Sequence, residues 1–175
     1  RTGSMNPMVD DVVGGFNTFL AEQRSEGDDA RMTLVQFDSQ DPFEVITDAV
    51  RLAKVPELTA ATFQPRGMTP LLDATGELIA HASRRVEMRE DAGKKPESIV
   101  VVTFTDGEEN ASHRFTAATI KELVAEKEAL GWTFVFLGAG LDAYGESRGI
   151  GYSDGSVQAW APDGVGVNAA MISTS

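Results

Sequence analysis

Ile99-Val100-Val101-Val102-Thr103-Phe104-Thr105-Asp106-Gly107 is the stretch from which the rest of the chain can be read. The run from 99 to 104 is apolar or β-branched throughout, as in a strand covered on both faces, and it stops at an acidic turn. Residues 132–137 form a second buried-strand pattern. Between the two lie Ile120, Leu123, Val124 and Leu130 at helical spacing, with Thr116 placed to cap that helix and Gly131 to stop it. Strand, helix and strand in this order make a βαβ unit, which implies a parallel sheet.

Working outward, Asn6 and Pro7 suit the start of a helix carrying Val9, Val12, Phe16, Phe19 and Leu20, with Gly27 as its stop. Gly14 and Gly15 would each cost that helix about 1 kcal/mol relative to Ala. Residues 32–37 read as a strand, and 43–50 as an edge strand after the Asp41-Pro42 turn. Residues 54–66, with Pro56 and Pro65, are irregular. A second helix from Pro70 places Leu71, Leu72, Thr75, Leu78, Ile79, Ala82 and Val86 on one face. Beyond residue 137, Asp142 suits the cap of a short helix, Val157 to Trp160 a last strand, and 165–171 a terminal helix. The expected fold class is α/β: a doubly wound, mainly parallel sheet with helices on both faces, in one domain spanning 1–175.

Composition narrows the function. With 175 residues, 42% of them hydrophobic and 24% charged, the chain can bury a sizeable core. No apolar run approaches a membrane span, and no signal peptide is visible. Cysteine is absent, which removes disulfides, zinc-thiolate sites and thiol catalysis, and favours a reducing, cytoplasmic setting. A net charge of −12 argues against nucleic acid and anionic membranes, which need basic surfaces, and suits cations or basic proteins.

The chemistry-bearing residues are oxygen donors at loop positions: Thr2 and Ser4 ahead of the first helix, Thr69 ahead of the second, and Asp106 after the central strand. Ligands of open α/β sheets sit beyond the carboxyl ends of the strands. Three hydroxyls and a carboxylate there form a hard oxygen set suited to Mg²⁺ or Mn²⁺. Each residue also has an ordinary explanation: Thr69 before Pro70 can cap a helix, Asp106-Gly107 can be a turn, and Gly3-Ser4 a loop. The segment from Gly138 to Ala143 follows a strand as a dinucleotide-binding turn would, but it lacks the third glycine and a ribose-binding acid. His81 and His113 belong to no catalytic motif and read as structural or surface residues. Glu108 and Glu109 read as solvated acids, or as groups that deepen negative potential beside a cation. Phe115, Trp132, Phe134 and Phe136 read as core, and Trp160-Ala161-Pro162 as a modest candidate for partner contact.

The segments Arg1-Thr2-Gly3-Ser4-Met5, Gly67-Met68-Thr69-Pro70 and Phe104-Thr105-Asp106-Gly107 resemble the metal-ion-dependent adhesion site of von Willebrand factor A-type domains. That pattern is Asp-x-Ser/Thr-x-Ser, a distant Thr, and Asp-Gly. The segments 14–20, 34–38 and 136–139 are similar to a bacterial and phage subgroup of that family. The resemblance implies that Thr2, Ser4 and Thr69 offer hydroxyl ligands and that Asp106 acts through water. The ion would be Mg²⁺, with Mn²⁺ or Ca²⁺ as alternatives, completed by a carboxylate from a protein or peptide partner. It implies adhesion-like binding and no catalysis; the competing readings are a metal-dependent hydrolase and a scaffold with a vestigial site. It also implies a buried central strand ending in the pattern's first Asp. Neither has a counterpart in 1–175, so both are expected ahead of Arg1.

Overall fold

The computed structural model describes residues 1–27, 29–139 and 143–160. In chain order the elements are α1 (Val9–Glu26), β1 (Arg31–Gln36), β2 (Glu44–Arg51), α2 (Leu71–Asp91), β3 (Val100–Thr105), α3 (Ala117–Ala129), β4 (Thr133–Ala139), α4 (Ala143–Gly149) and β5 (Val157–Trp160). The βαβ unit forms as its periodicity predicts. β3 and β4 pair in parallel with Val101 opposite Phe134, and β5 adds to β4 in parallel with Val157 opposite Phe136. Thr116 caps α3, its hydroxyl accepting from the Thr119 N–H at 3.2 Å, and Gly131 ends the turn beyond that helix at φ +88°. The predicted helix at 165–171 and the cap at Asp142 lie outside the described residues, as do Gly140 and Leu141 of the dinucleotide-like turn and Ala161-Pro162.

The fold is α/β with two sheets. β1 and β2 form an antiparallel hairpin, while β3, β4 and β5 form the parallel sheet. Side chains alternate along a strand, so one strand can serve two cores. β4 does this: Val135 and Leu137 join the cluster built on Val12, Phe16 and Leu20 of α1, whereas Phe134 and Phe136 join Ile79 of α2 and Ile120 and Val124 of α3. Tyr152 sits edge-on to both Phe134 and Phe136, with ring centroids 5.6 and 5.5 Å away, and its hydroxyl meets Thr103 Oγ1 at 2.9 Å. The irregular stretch before α2 is not idle, because Val55, Leu58 and Phe63 are buried against α1.

Three expectations need correction. The chain does not enter an α-helix at Asn6: Gly3–Met8 is a 3₁₀ turn containing Pro7, and the α-helix begins at Val9. The Asn6 side chain donates to the Gly3 carbonyl at 2.9 Å, stabilising the tighter turn. Thr69 does not cap α2. Pro70 occupies the cap position without a side-chain bond, and the first helical amides turn to the loop after β3. Finally, β3 is not covered on both faces, since Val100 is 59% exposed and Val102 39%. Val102 faces an open space beside the strand. Between β3 and β1 runs a cavity of about 160 Å³ lined by both strands, α1 and α2. No helix among the described residues is long and apolar enough to cross a membrane.

Candidate metal centre

Three loops meet at the carboxyl end of β3. The first is held from below by Asp38, a wholly buried residue just past β1. Its Oδ2 accepts from Arg1 Nε at 2.8 Å and Arg66 Nε at 2.9 Å, and its Oδ1 accepts from the backbone of Gln40 at 2.7 Å and Asp41 at 3.0 Å. Burial works against the Asp38 charge, but these donors outweigh it and hold the carboxyl below its usual range. The Arg1 side chain also pairs with Glu44. Its backbone nitrogen donates to the Phe37 carbonyl at 3.1 Å.

The second loop is stitched to the first. Gly3 N–H donates to the Gly67 carbonyl and Arg66 N–H to the Arg1 carbonyl, both at 3.1 Å. Gly67 is at φ +66°, and a Cβ there would lie 2.5 Å from Ser39 Oγ, so the position requires glycine on two counts. Ser39 in turn brackets Met68, exchanging backbone and hydroxyl bonds with it at 3.1 and 2.9 Å. The third loop clamps Thr69: Asn110 Oδ1 accepts from the Thr69 N–H at 2.8 Å, and Asn110 N–H donates to the Thr69 carbonyl at 3.1 Å.

The four predicted oxygen donors converge. Asp106 Oδ1 accepts from Ser4 Oγ at 2.8 Å and from Thr2 Oγ1 at 3.1 Å, and those hydroxyls lie 3.0 Å from each other. Gly107 reports on the fourth: a Cβ at that position would sit 3.2 Å from Thr69 Oγ1, 3.4 Å from Ser4 Oγ and 3.9 Å from Thr2 Oγ1. The three hydroxyls thus surround the point where any other residue would place a methyl. Thr2 and Thr69 are buried, Asp106 is half-buried and Ser4 is exposed, so the cluster opens to solvent on one side. Met68, 55% exposed, stands in the loop beside it.

Among the described residues, no three His, Cys, Asp or Glu side chains group as a metal cage would require. The hydroxyl-rich set fits a different ion chemistry. Mg²⁺ keeps several waters and takes few protein carboxylates, and one acid among three hydroxyls suits that habit.

The remaining candidates resolve into structure. Glu109 is not a solvated acid. Its Oε1 accepts from the Ala111 and Ser112 amides at 2.9 and 2.7 Å, and its Oε2 accepts from the Leu72 amide at 2.9 Å and Ser112 Oγ at 2.6 Å. Ser112 Oγ accepts from the Asp73 amide at 3.0 Å, so this loop caps α2 from outside. Asp73 reciprocates by accepting the His113, Arg114 and Phe115 amides, each at 2.9 Å. His81 meets Asp48 at 2.9 Å, away from the oxygen cluster. Asp38 and Asn110 are supporting residues to which sequence patterning gave no role, and Glu109 is one whose role it misread. A polar residue just past a strand or a turn was their only local signal. No protein-family model matches the chain, and no curated protein matches it.

Proposed function

We propose that the chain is a metal-dependent binding module of the von Willebrand factor A type, with a doubly wound arrangement of helices about its strands. Thr2, Ser4, Thr69 and Asp106 would hold Mg²⁺ or a similar hard cation. One observation carries the reading: a carboxylate oxygen and three hydroxyls from loops far apart in sequence lie around one solvent-facing point. The ion would supply a positive centre with an open position for an anionic oxygen of a partner. The protein's own share is preorganisation. Asp38 and Arg1 fix the first loop, and Asn110 fixes Thr69, so the donors need not be ordered at the moment of binding.

A carboxylate from a protein or peptide matches the open side, and the exposed Met68 offers an apolar contact next to it. The net charge of −12 supports a cation-mediated contact, because an acidic partner would otherwise be repelled. Hydrolysis fits less well. It needs a positioned base; of the two acids beside the cluster, Glu109 has both oxygens engaged in capping α2 and its own loop, and Glu108 is exposed to solvent.

Titration calorimetry with Mg²⁺, Mn²⁺ and Ca²⁺ tests the site. Asp106→Ala should abolish the heat of binding with little change in folding, as it removes the cluster's only charge. Undiminished Mn²⁺ affinity in that variant would sink the assignment.

A further inference from the structure

Given the oxygen cluster as an ion site, the reading on which this inference rests, two exposed side chains narrow the class of partner. Thr69 and Gly107 meet at the cluster, since a Cβ on Gly107 would lie 3.2 Å from Thr69 Oγ1. Met68 precedes the one and Glu108 follows the other, and both are exposed. Their neighbours are engaged within the fold. Arg66 turns its Nε to the buried Asp38, Glu109 commits both carboxylate oxygens to α2 and its own loop, and Asn110 holds Thr69. Glu108 makes no ion pair among the described residues.

Neither flank hangs free. Met68 exchanges two bonds with Ser39, at 3.1 and 2.9 Å, so its side chain is presented from a fixed backbone. Glu108 stands between Gly107, packed among hydroxyls, and Glu109, anchored to the Leu72 amide. Groups already held in place contribute to binding with little ordering cost.

Charge and polarity decide what each flank accepts. An anionic oxygen drawn to a cation at the cluster comes close to Glu108, and the two negative charges repel unless the partner brings a base to that side. Met68 offers thioether and methylene surface, which an apolar side chain covers. Consecutive residues of an extended chain advance about 3.3–3.6 Å, so the neighbours of the partner's acid reach side chains one position away from Thr69 and Gly107. We propose that the cluster recognises a protein segment in which an acidic residue is flanked on one side by a basic residue, which pairs with Glu108, and on the other by an apolar residue, which packs on Met68. An acid within an acidic stretch is rejected. The net charge of −12 acts in the same direction, because it favours a segment with basic surroundings.

The test titrates blocked tripeptides in both chain directions, acetyl-Lys-Asp-Leu-amide and acetyl-Leu-Asp-Lys-amide, into ¹⁵N-labelled protein. Each variant is first saturated with Mg²⁺ according to its own calorimetric isotherm, and amide shifts report peptide binding. The better direction should bind about fivefold more tightly than its counterpart with Glu in place of Lys, and high salt should erase that ratio. Glu108→Gln should erase it as well. Met68→Ala should remove an advantage of about fivefold for Leu over Gly at the apolar position. The proposal is overturned if Lys and Glu peptides bind the parent alike, if Glu108→Gln leaves their ratio unchanged, or if no Asp peptide binds protein that has taken up Mg²⁺. A different pair of results would overturn the ion reading itself, and this proposal with it: no uptake of Mg²⁺, or Asn peptides binding as tightly as the Asp ones.

Discussion

Replacing Glu109 with Ala should be among the most damaging single changes on the surface of this protein, and its cost can be worked from the structure. The carboxylate accepts hydrogen bonds from the Leu72 amide at the start of α2, from the amides of Ala111 and Ser112, and from the Ser112 hydroxyl. Loss of a side-chain cap costs about 1 kcal/mol, and loss of a negative charge from a helix N-terminus about 0.3–1 kcal/mol more. Ser112 also loses its anchor, and with it the bond to the Asp73 amide weakens. The sum is about 2–3 kcal/mol, or roughly 5–10 °C in Tm for a chain of this size. Urea unfolding followed by circular dichroism measures it. Glu109→Gln keeps one acceptor oxygen and should recover about half of the loss. A Glu109→Ala chain within 0.5 kcal/mol of the parent, a margin usual for uninvolved surface sites, would refute the capping role.

Other outcomes follow from the same geometry. Thr69→Ala should cost metal affinity but not the roughly 1 kcal/mol of a lost helix cap, because Thr69 makes no capping bond; Thr69→Ser should keep the affinity, and calorimetry with parallel urea titrations separates the two effects. Gly107→Ala sets a methyl among the Thr69, Ser4 and Thr2 hydroxyls at 3.2–3.9 Å and should weaken Mg²⁺ binding about tenfold, or 1.4 kcal/mol, with Tm nearly unchanged; equal affinity in the variant would place the ion elsewhere. Asp73 governs acid stability. Burial opposes its charge, but three backbone amides and Arg114 outweigh that and depress its pKa in the folded state. Its contribution is therefore present above the unfolded value near 3.8 and is lost as pH falls through the lower folded value. Asp73→Asn should be less stable than the parent at pH 7 by about 2 kcal/mol, and the gap should narrow below pH 4 in pH-stepped urea titrations.

Where strands and helices lie was legible, because buried parallel strands and amphipathic helices write their period into the sequence. The run at 99–104 and the Thr116 cap are the clearest cases. Boundaries near Pro7 were not, because a capping residue before proline serves a 3₁₀ turn as well as an α-helix. The four oxygen donors could be picked out because each sits at an element end, where side chains are freed from packing. Their support could not be, because Asp38 acts through the Arg1 and Arg66 side chains, 37 and 28 positions away, and Glu109 and Asn110 reach the Leu72 and Thr69 amides, 37 and 41 positions away. Sequence spacing carries no trace of such a bond. The exposure of Val100 and Val102 escaped for a similar reason: hydropathy reports that a face wants cover, not whether a neighbour supplies it.

The oxygen cluster straddles the seam between the two sheets, where β1 and β3 line a common cavity. Thr2 and Ser4 belong to the loop strapped onto the end of β1 through Phe37 and Asp38, whereas Asp106 belongs to the end of β3. Whatever binds these oxygens as a set also fastens one sheet to the other. Mass action then makes occupancy a term in the folding equilibrium: a ligand at a hundred times its dissociation constant adds about 2.7 kcal/mol against separation of the halves. By the same linkage, anything that loosens the seam weakens the ligand, so recognition at the rim and cohesion of the interior are one equilibrium measured from two ends.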